Sequence, residues 1–279
     1  IADEAVDSAF GTGALGVTPA HAMIDEEMAQ RHGLSMIQVI GEEGRLLDVC
    51  GTEYAGLTLA EARQRIEAAL DAQGVLREVK EIEQNLPIAE RGGAPVEQLP
   101  KQQWFIRVNK TFVLRQDTLG KWKKGELATL KDLMIYAVQS GQTRIVPERF
   151  TKTYFTWVNN LRDWCISRQI WFGHQIPVWY KQRQEAGDKR QEGKEEMRFG
   201  VESPGEGWVR DSDTLDTWFS SGMWTFSALG WPGKEWESLK AFHPTAVLET
   251  GYDILFFWVA RMILMSTYVL GEVPFNDVY

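Results

Sequence analysis

A chain of 279 residues, 44% hydrophobic and 25% charged, has the make-up of a soluble globular protein and the apolar material for two domains. Its net charge of −9 argues against an overall electrostatic grip on nucleic acid and leaves only local basic patches, at Lys121, Lys123 and Lys124 and at Lys181, Arg183, Lys189, Arg190 and Lys194. Two distant cysteines, Cys50 and Cys165, and four scattered histidines argue against a disulfide framework and a structural zinc site, and they fit a reducing, cytoplasmic compartment.

No signal-peptide pattern opens the sequence. Residues 11–18, GTGALGVT, read as a Gly-rich turn leading to a short apolar strand. Pro19 to His32 reads as a helix with Met23, Ile24 and Met28 on one face and Gly33 as its stop. Met36 to Ile40 alternates as a strand. Thr58 and Glu61 have the spacing of a capping box, in which each side chain satisfies a free backbone N–H of the other. Leu59, Ala62, Ile66, Ala69 and Leu70 then repeat at helical spacing, with Gly74 as the stop. Residues 85–100 hold three prolines and two glycines and read as a loop. Gln103 to Val108 reads as a strand, and Thr129 to Ser140 as a helix.

Composition shifts near Pro147, so a junction is expected at 145–155, dividing the chain into domains at 1–148 and 149–279. The stretch at about 181–207 is charged, poor in apolar groups, and expected to be an exposed insertion. Val247-Leu248 followed by a GYD turn and a long apolar helix makes a strand–turn–helix unit, the signature of an α/β nucleotide-binding layer. The apolar stretch Ile254 to Leu270 carries Arg261 at its middle. A central Arg is expensive in lipid, so a buried core helix, and no membrane, is expected.

Three segments go beyond generic patterning. They are Ile166 to Tyr180 (ISRQIWFGHQIPVWY), Asp213 to Pro232 (DTLDTWFSSGMWTFSALGWP) and Glu249 to Met265 (ETGYDILFFWVARMILM). In this order they resemble the catalytic core of the large class I aminoacyl-tRNA synthetases for Val, Ile and Leu. Gly173-His-Gln-Ile-Pro177 and the upstream GTGALGVTPAH resemble the valyl form and its editing domain. The resemblance implies an α/β fold, with part of a Rossmann-like catalytic core and part of an α/β editing insertion. The family's HIGH and KMSKS motifs are absent. The chain is therefore expected to be a middle piece, unable to activate valine by itself.

The same resemblance assigns roles. Thr18, His21 and Asp25 are the expected editing site, with Asp25 taking the substrate ammonium through a charge-assisted hydrogen bond. On the residues alone, Asp25 reads instead as a solvent-facing helix carboxylate beside Glu26 and Glu27. The pattern departs from the family at Gly16, where Lys is common, and at Ala22, where Asp is common. Trp171, Gly173, His174, Trp218 and Phe219 are the expected amino-acid-binding residues, while Trp224 and Trp231 read as core. Asp213 and Asp216 read as caps or backbone anchors. Gly251 and Asp253 match the family's GxD element, which meets the ribose of ATP; on its own the Asp reads as an N-cap.

The implied substrates are valine, tRNA(Val) and ATP with Mg²⁺. The implied reactions are aminoacylation and hydrolysis of mischarged threonyl-tRNA, and no metal-binding residues or zinc are expected. A monomer is expected. A free-standing editing deacylase and a noncatalytic tRNA-binding module are the alternatives.

Overall fold

The computed structural model describes residues 3–9, 12–81, 83, 85–181, 196–233 and 237–279. The chain divides into two compact units, Ile1–Gln102 and Gln103–Tyr279.

In the first unit, helix α1 (Met23–His32) starts only after a turn in which the His21 N–H donates to the Thr18 carbonyl. It buries Asp25, Met28 and Ala29, while Met23 and Ile24 of the expected apolar face stay in solvent. Neither expected strand forms, at 14–18 or at Met36–Ile40; Ile40 makes only an isolated bridge to Leu46. The reason at 39–40 is local: both backbone N–H groups donate to the ring of His21 instead of to a strand. Helix α2 (Leu59–Ala72) opens with the expected capping box, Thr58 N–H donating to Glu61 at 2.8 Å and Glu61 N–H to Thr58 Oγ1 at 3.3 Å. Only Ala62 of its apolar repeat is buried.

The second unit holds short strands β1 (Phe105–Ile106), β2 (Phe112–Val113) and β3 (Leu127–Ala128), then α3 (Leu130–Gln139), β4 (Arg144–Ile145) and α4 (Arg149–Asn159). Next come β5 (Trp164–Cys165), β6 (Ser167–Arg168), β7 (Val178–Lys181), β8 (Met197–Phe199), β9 (Trp208–Arg210) and β10 (Thr214–Leu215). Helices α5 (Thr217–Gly222), α6 (Trp224–Ser227) and α7 (Glu237–Phe242) lead into β11 (Thr245–Leu248). A 3₁₀ turn (Tyr252–Ile254) and a π-helical turn (Leu255–Val259) run into α8 (Ala260–Val269), and β12 (Phe275–Val278) follows.

Strands β11, β12 and β4 form a parallel sheet in that order, with Leu248 beside Val278 and Val278 beside Ile145. Two neighbouring parallel strands joined through a helix are the βαβ unit expected of a nucleotide-binding layer. The remaining pairings, β1 with β5, β2 with β3, β6 with β10, and β7 between β8 and β9, are antiparallel. Val108, Leu133, Met134, Ala137, Tyr154, Val158, Val259, Met262, Ile263 and Phe275 are completely buried in one core. The Tyr154 hydroxyl donates to the Met134 carbonyl, and burial pushes its phenol well above the ordinary tyrosine range. Tyr252–Val269 is long and apolar enough to cross a membrane, yet 56% of it is buried inside this unit.

The expected junction at 145–155 is therefore not where the compact units part. Residues 103–148 supply β1, α3 and β4, which pair or pack with β5, α8 and β12, so the division falls near 102. Of the expected insertion at 181–207, residues 182–195 lie outside the described residues, as do Arg183, Lys189, Arg190 and Lys194 of the second basic patch. In the first patch, Lys123 pairs with Asp117 at 2.9 Å and Lys121 lies over the Trp122 ring at 4.3 Å.

Candidate functional site

The residues expected to edit are brought together at the start of α1. The Thr18 backbone N–H and hydroxyl both donate to Asp25 Oδ2, at 2.7 and 3.0 Å. Asp25 is 6% exposed, on the inward face with Met28, so the solvent-facing alternative fails. His21 is close in sequence but differently employed. Its Nε2 accepts from Val39 and Ile40 N–H at 3.0 and 3.3 Å, which makes it the unprotonated nitrogen. Its Nδ1 then donates to the Gln98 carbonyl at 2.8 Å. Both ring nitrogens are occupied by backbone, so His21 serves as a tie between loops rather than as a base.

In the second unit the expected amino-acid-binding residues separate. Trp218 and Phe219 are consecutive on α5 and face different cavities. Trp218 lines an open cleft of about 310 Å³ with Ser221, Trp224, Ile254 and Trp258. Phe219 lines a larger apolar groove of about 540 Å³ with Met223, Trp231 and Tyr268. The larger space is away from the GYD turn, and the smaller cleft adjoins it, because Ile254 follows Asp253 directly. Trp224, expected in the core, is 52% exposed and belongs to the cleft; Trp231 packs edge-on against Phe226. Trp258 was not singled out from the sequence; it sits in an apolar run where every residue reads as core. Its indole N–H donates to the Ser221 carbonyl, and its ring meets Trp224 at 6.3 Å. Trp218 stacks on Phe257 at 5.8 Å.

Trp171 is fully exposed, outside both cavities. Gly173 has φ 154° and a Cβ there would stand 3.1 Å from Thr214 Cβ, so this position rejects a side chain. His174 is exposed, and its carbonyl accepts from Leu215 N–H at 2.7 Å, aligning the loop with β10.

The GYD turn lies just past the carboxyl end of β11, where ligands bind in parallel α/β sheets. The N-cap of the following turn is Gly251 rather than Asp253, so the N-cap alternative for Asp253 fails. A Cβ at Gly251 would collide with Asp253 Oδ1, so glycine is what allows this carboxylate to lie back over the turn. Asp253 itself is exposed. Asp216 does act as an N-cap, accepting from Trp218 N–H at 3.3 Å, and Asp213 accepts from Gln169 at 2.7 Å. Among the described residues there is no group of three or more His, Cys, Asp or Glu able to hold a metal ion. Cys50 and Cys165 are free thiols.

The parallel βαβ unit thus carries a GxD turn at the carboxyl end of β11, with an aromatic cleft beside it. The family profile for tRNA synthetases class I (I, L, M and V) matches residues 50–279, and the chain belongs to that family. Within it, the chain is similar along its whole length to two proteins named valine–tRNA ligase. It is 46% identical to that of Symbiobacterium thermophilum and 44% identical to that of Laribacter hongkongensis. The chain spans only 28% and 30% of the length of those relatives. A solved methionyl-tRNA synthetase of Mycobacterium tuberculosis aligns over 92% of this chain and 43% of its own, at 16% identity and a TM-score of 0.42, a likeness too loose to argue from.

Proposed function

We propose that these residues belong to a valine–tRNA ligase, contributing part of its valine and ATP site and part of a site that hydrolyses threonyl-tRNA(Val). The observation that supports this most is the continuity of the GYD turn with the cleft of Trp218, Trp224, Ile254 and Trp258. Asp253 accepts the ribose hydroxyls of ATP, and the tryptophans exclude water from a branched aliphatic side chain and fix its width. The valine carboxylate then attacks the α-phosphate, giving valyl-adenylate and pyrophosphate, and the terminal ribose hydroxyl of tRNA(Val) attacks the acyl carbon, breaking its bond to the phosphate and releasing AMP. Mg²⁺ arrives with the ATP phosphates and spreads their charge. This chain's residues position the reactants, and no covalent nucleophile is required.

Editing follows from the limits of that cleft. An apolar pocket rejects the added hydroxyl of threonine by only about 10²-fold, so a second hydrolytic site is needed. Asp25 is the residue proposed to hold the ammonium of the mischarged threonine, through Oδ1, while Thr18 steadies Oδ2. His21 is assigned to holding the loop. The domain roles are redrawn accordingly: editing in residues 1–102, aminoacylation in 103–279. The enzyme acts as a cytoplasmic monomer.

The test is valine-dependent pyrophosphate–ATP exchange by the full-length protein that carries this sequence. Trp258→Ala is expected to raise KM for valine at least tenfold, and Asp253→Ala to raise KM for ATP. Exchange driven equally well by leucine, or variants that keep both KM values, would refute the assignment.

A further inference from the structure

An arginine in the middle of the most buried helix needs a reason. Arg261 on α8 is 7% exposed, and Ala260, Met262, Ile263, Leu264 and Met265 around it are all buried. Its Nη1 is buried with no hydrogen-bond partner among the described residues. Burial alone would favour the neutral form, and it brings the guanidinium down to about 10, against the pull of Asp216. A methionine of similar length would fill the space without desolvating a charge, and such exchanges are often neutral or stabilising. Stability does not explain this residue.

Its neighbours do. The guanidinium carbon lies 4.0 Å from the centre of the Trp164 ring and 5.2 Å from that of Phe256. Beneath it, Trp164 donates its indole N–H to Asp216 Oδ2 at 3.0 Å. Arg168 reaches the same oxygen at 3.0 Å, and Asp216 Oδ1 caps α5 through Trp218 N–H. One carboxylate, 5% exposed, thus ties β5, β6 and α5 together. From α8, Arg261 presses on the indole that grips it. The approach is close on the other side too. A Cβ on Gly222, the last residue of α5, would stand 3.3 Å from the Arg261 carbonyl.

We propose that Arg261 is a positioning residue for Trp218. Stacked on Trp164 and facing Asp216, it fixes the cap of α5 and so the angle at which Trp218 enters the cleft. This rests on the assignment of that cleft to valine, but only in its effect on substrate. The mechanical part stands on the contacts alone. One buried carboxylate accepts all three donors, and the guanidinium faces it from α8.

The experiment has two arms. In the first, the 279-residue chain is labelled with 5-fluorotryptophan, and the ¹⁹F resonance of Trp218 is assigned through Trp218→Phe. Arg261→Met is expected to shift and broaden that resonance while the thermal midpoint stays within a few degrees. Arg261→Lys, which keeps the charge and loses the flat stacking surface, is expected to fall between. In the second arm, the full-length protein carrying Arg261→Met is expected to show a valine KM raised about tenfold, with kcat within about threefold, and Arg261→Lys to recover part of that loss.

A Trp218 resonance unmoved in folded Arg261→Met overturns the proposal. If the Met variant does not fold, the Lys variant decides, and an unmoved resonance there overturns it equally. A shifted resonance with unchanged valine KM upholds the positioning role and removes Trp218 from the valine site, so the two readings fail separately.

Discussion

At the scale of single residues, Asp25 shows how one side chain can serve structure and chemistry together. Its Oδ2 holds the loop through Thr18, and the proposed ammonium contact falls to Oδ1. Asp25→Asn separates the two, because an amide oxygen still accepts from Thr18 but carries no charge. One lost charge-assisted hydrogen bond costs about 1.5–3 kcal/mol, so threonyl-tRNA deacylation is expected to slow roughly ten- to a hundredfold while folding is kept. Glu26→Ala is the control. Release of threonine from mischarged tRNA, at matched folded fraction, measures it, and equal rates for Asp25→Asn and wild type would remove Asp25 from the site. The family resemblance named Thr18 together with Asp25, and the two are hydrogen-bonded in the structure. The resemblance could not reveal that His21 is consumed by Val39, Ile40 and Gln98, because those partners lie 18, 19 and 77 residues away. Nor could an apolar run distinguish Trp258 from its buried neighbours, since exposure there depends on where α5 and α6 stop covering it.

At the scale of elements, helices with both ends written into the sequence were legible. The capping box of α2, Thr58 with Glu61, formed as its spacing required, and the structure adds a second at the start of α3, Thr129 with Asp132. Strands were less so, because pairing depends on partners far along the chain: β1 meets β5 some sixty residues on, and the alternation at 36–40 found no partner strand at all. One tie between elements carries a pH dependence. His243, just after α7, faces Ser266 of α8, with Nε2 and Oγ 3.1 Å apart. Burial holds its pKa below the ordinary histidine value, against smaller opposing pulls from the Thr225 backbone and Glu272. The unfolded chain therefore binds this proton more readily than the folded one. The contribution of His243 is complete above the unfolded value of about 6.5 and is lost as pH falls through it toward the folded value. Urea midpoints at pH 7.5 and 5.5 are expected to differ more for wild type than for His243→Gln, and identical differences would remove His243 as the cause.

At the scale of the whole molecule, the two units differ in how they are built. The core from Val108 to Val278 is continuous, whereas in the first unit the buried hydrophobic residues are few, among them Ala20, Met28, Ile40 and Ala62. Residues 103–279 produced alone are expected to unfold cooperatively in urea. Residues 149–279 are not, because they lack Leu133, Met134 and Ile145; a single such large-to-small loss already costs about 2–5 kcal/mol. A cooperative transition in the shorter piece would restore the junction near 148. The composition change at Pro147 misplaced that junction because it marks where aromatic residues thicken within one core, rather than where a core begins.

The loop that presents Trp171 has an optical consequence. Most indoles in a protein emit from surroundings that cannot reorient during the excited state, but this one stands wholly in water. Among the described tryptophans it is the one most open to collision with a dissolved quencher such as iodide, and it supplies the reddest of their emission. Anything that settles on residues 169–175, whether substrate, tRNA or another part of a longer chain, must drive water off this ring. Its arrival would appear as a blue shift and a loss of quenching, so the protein carries at that loop an unlabelled reporter of its own occupancy.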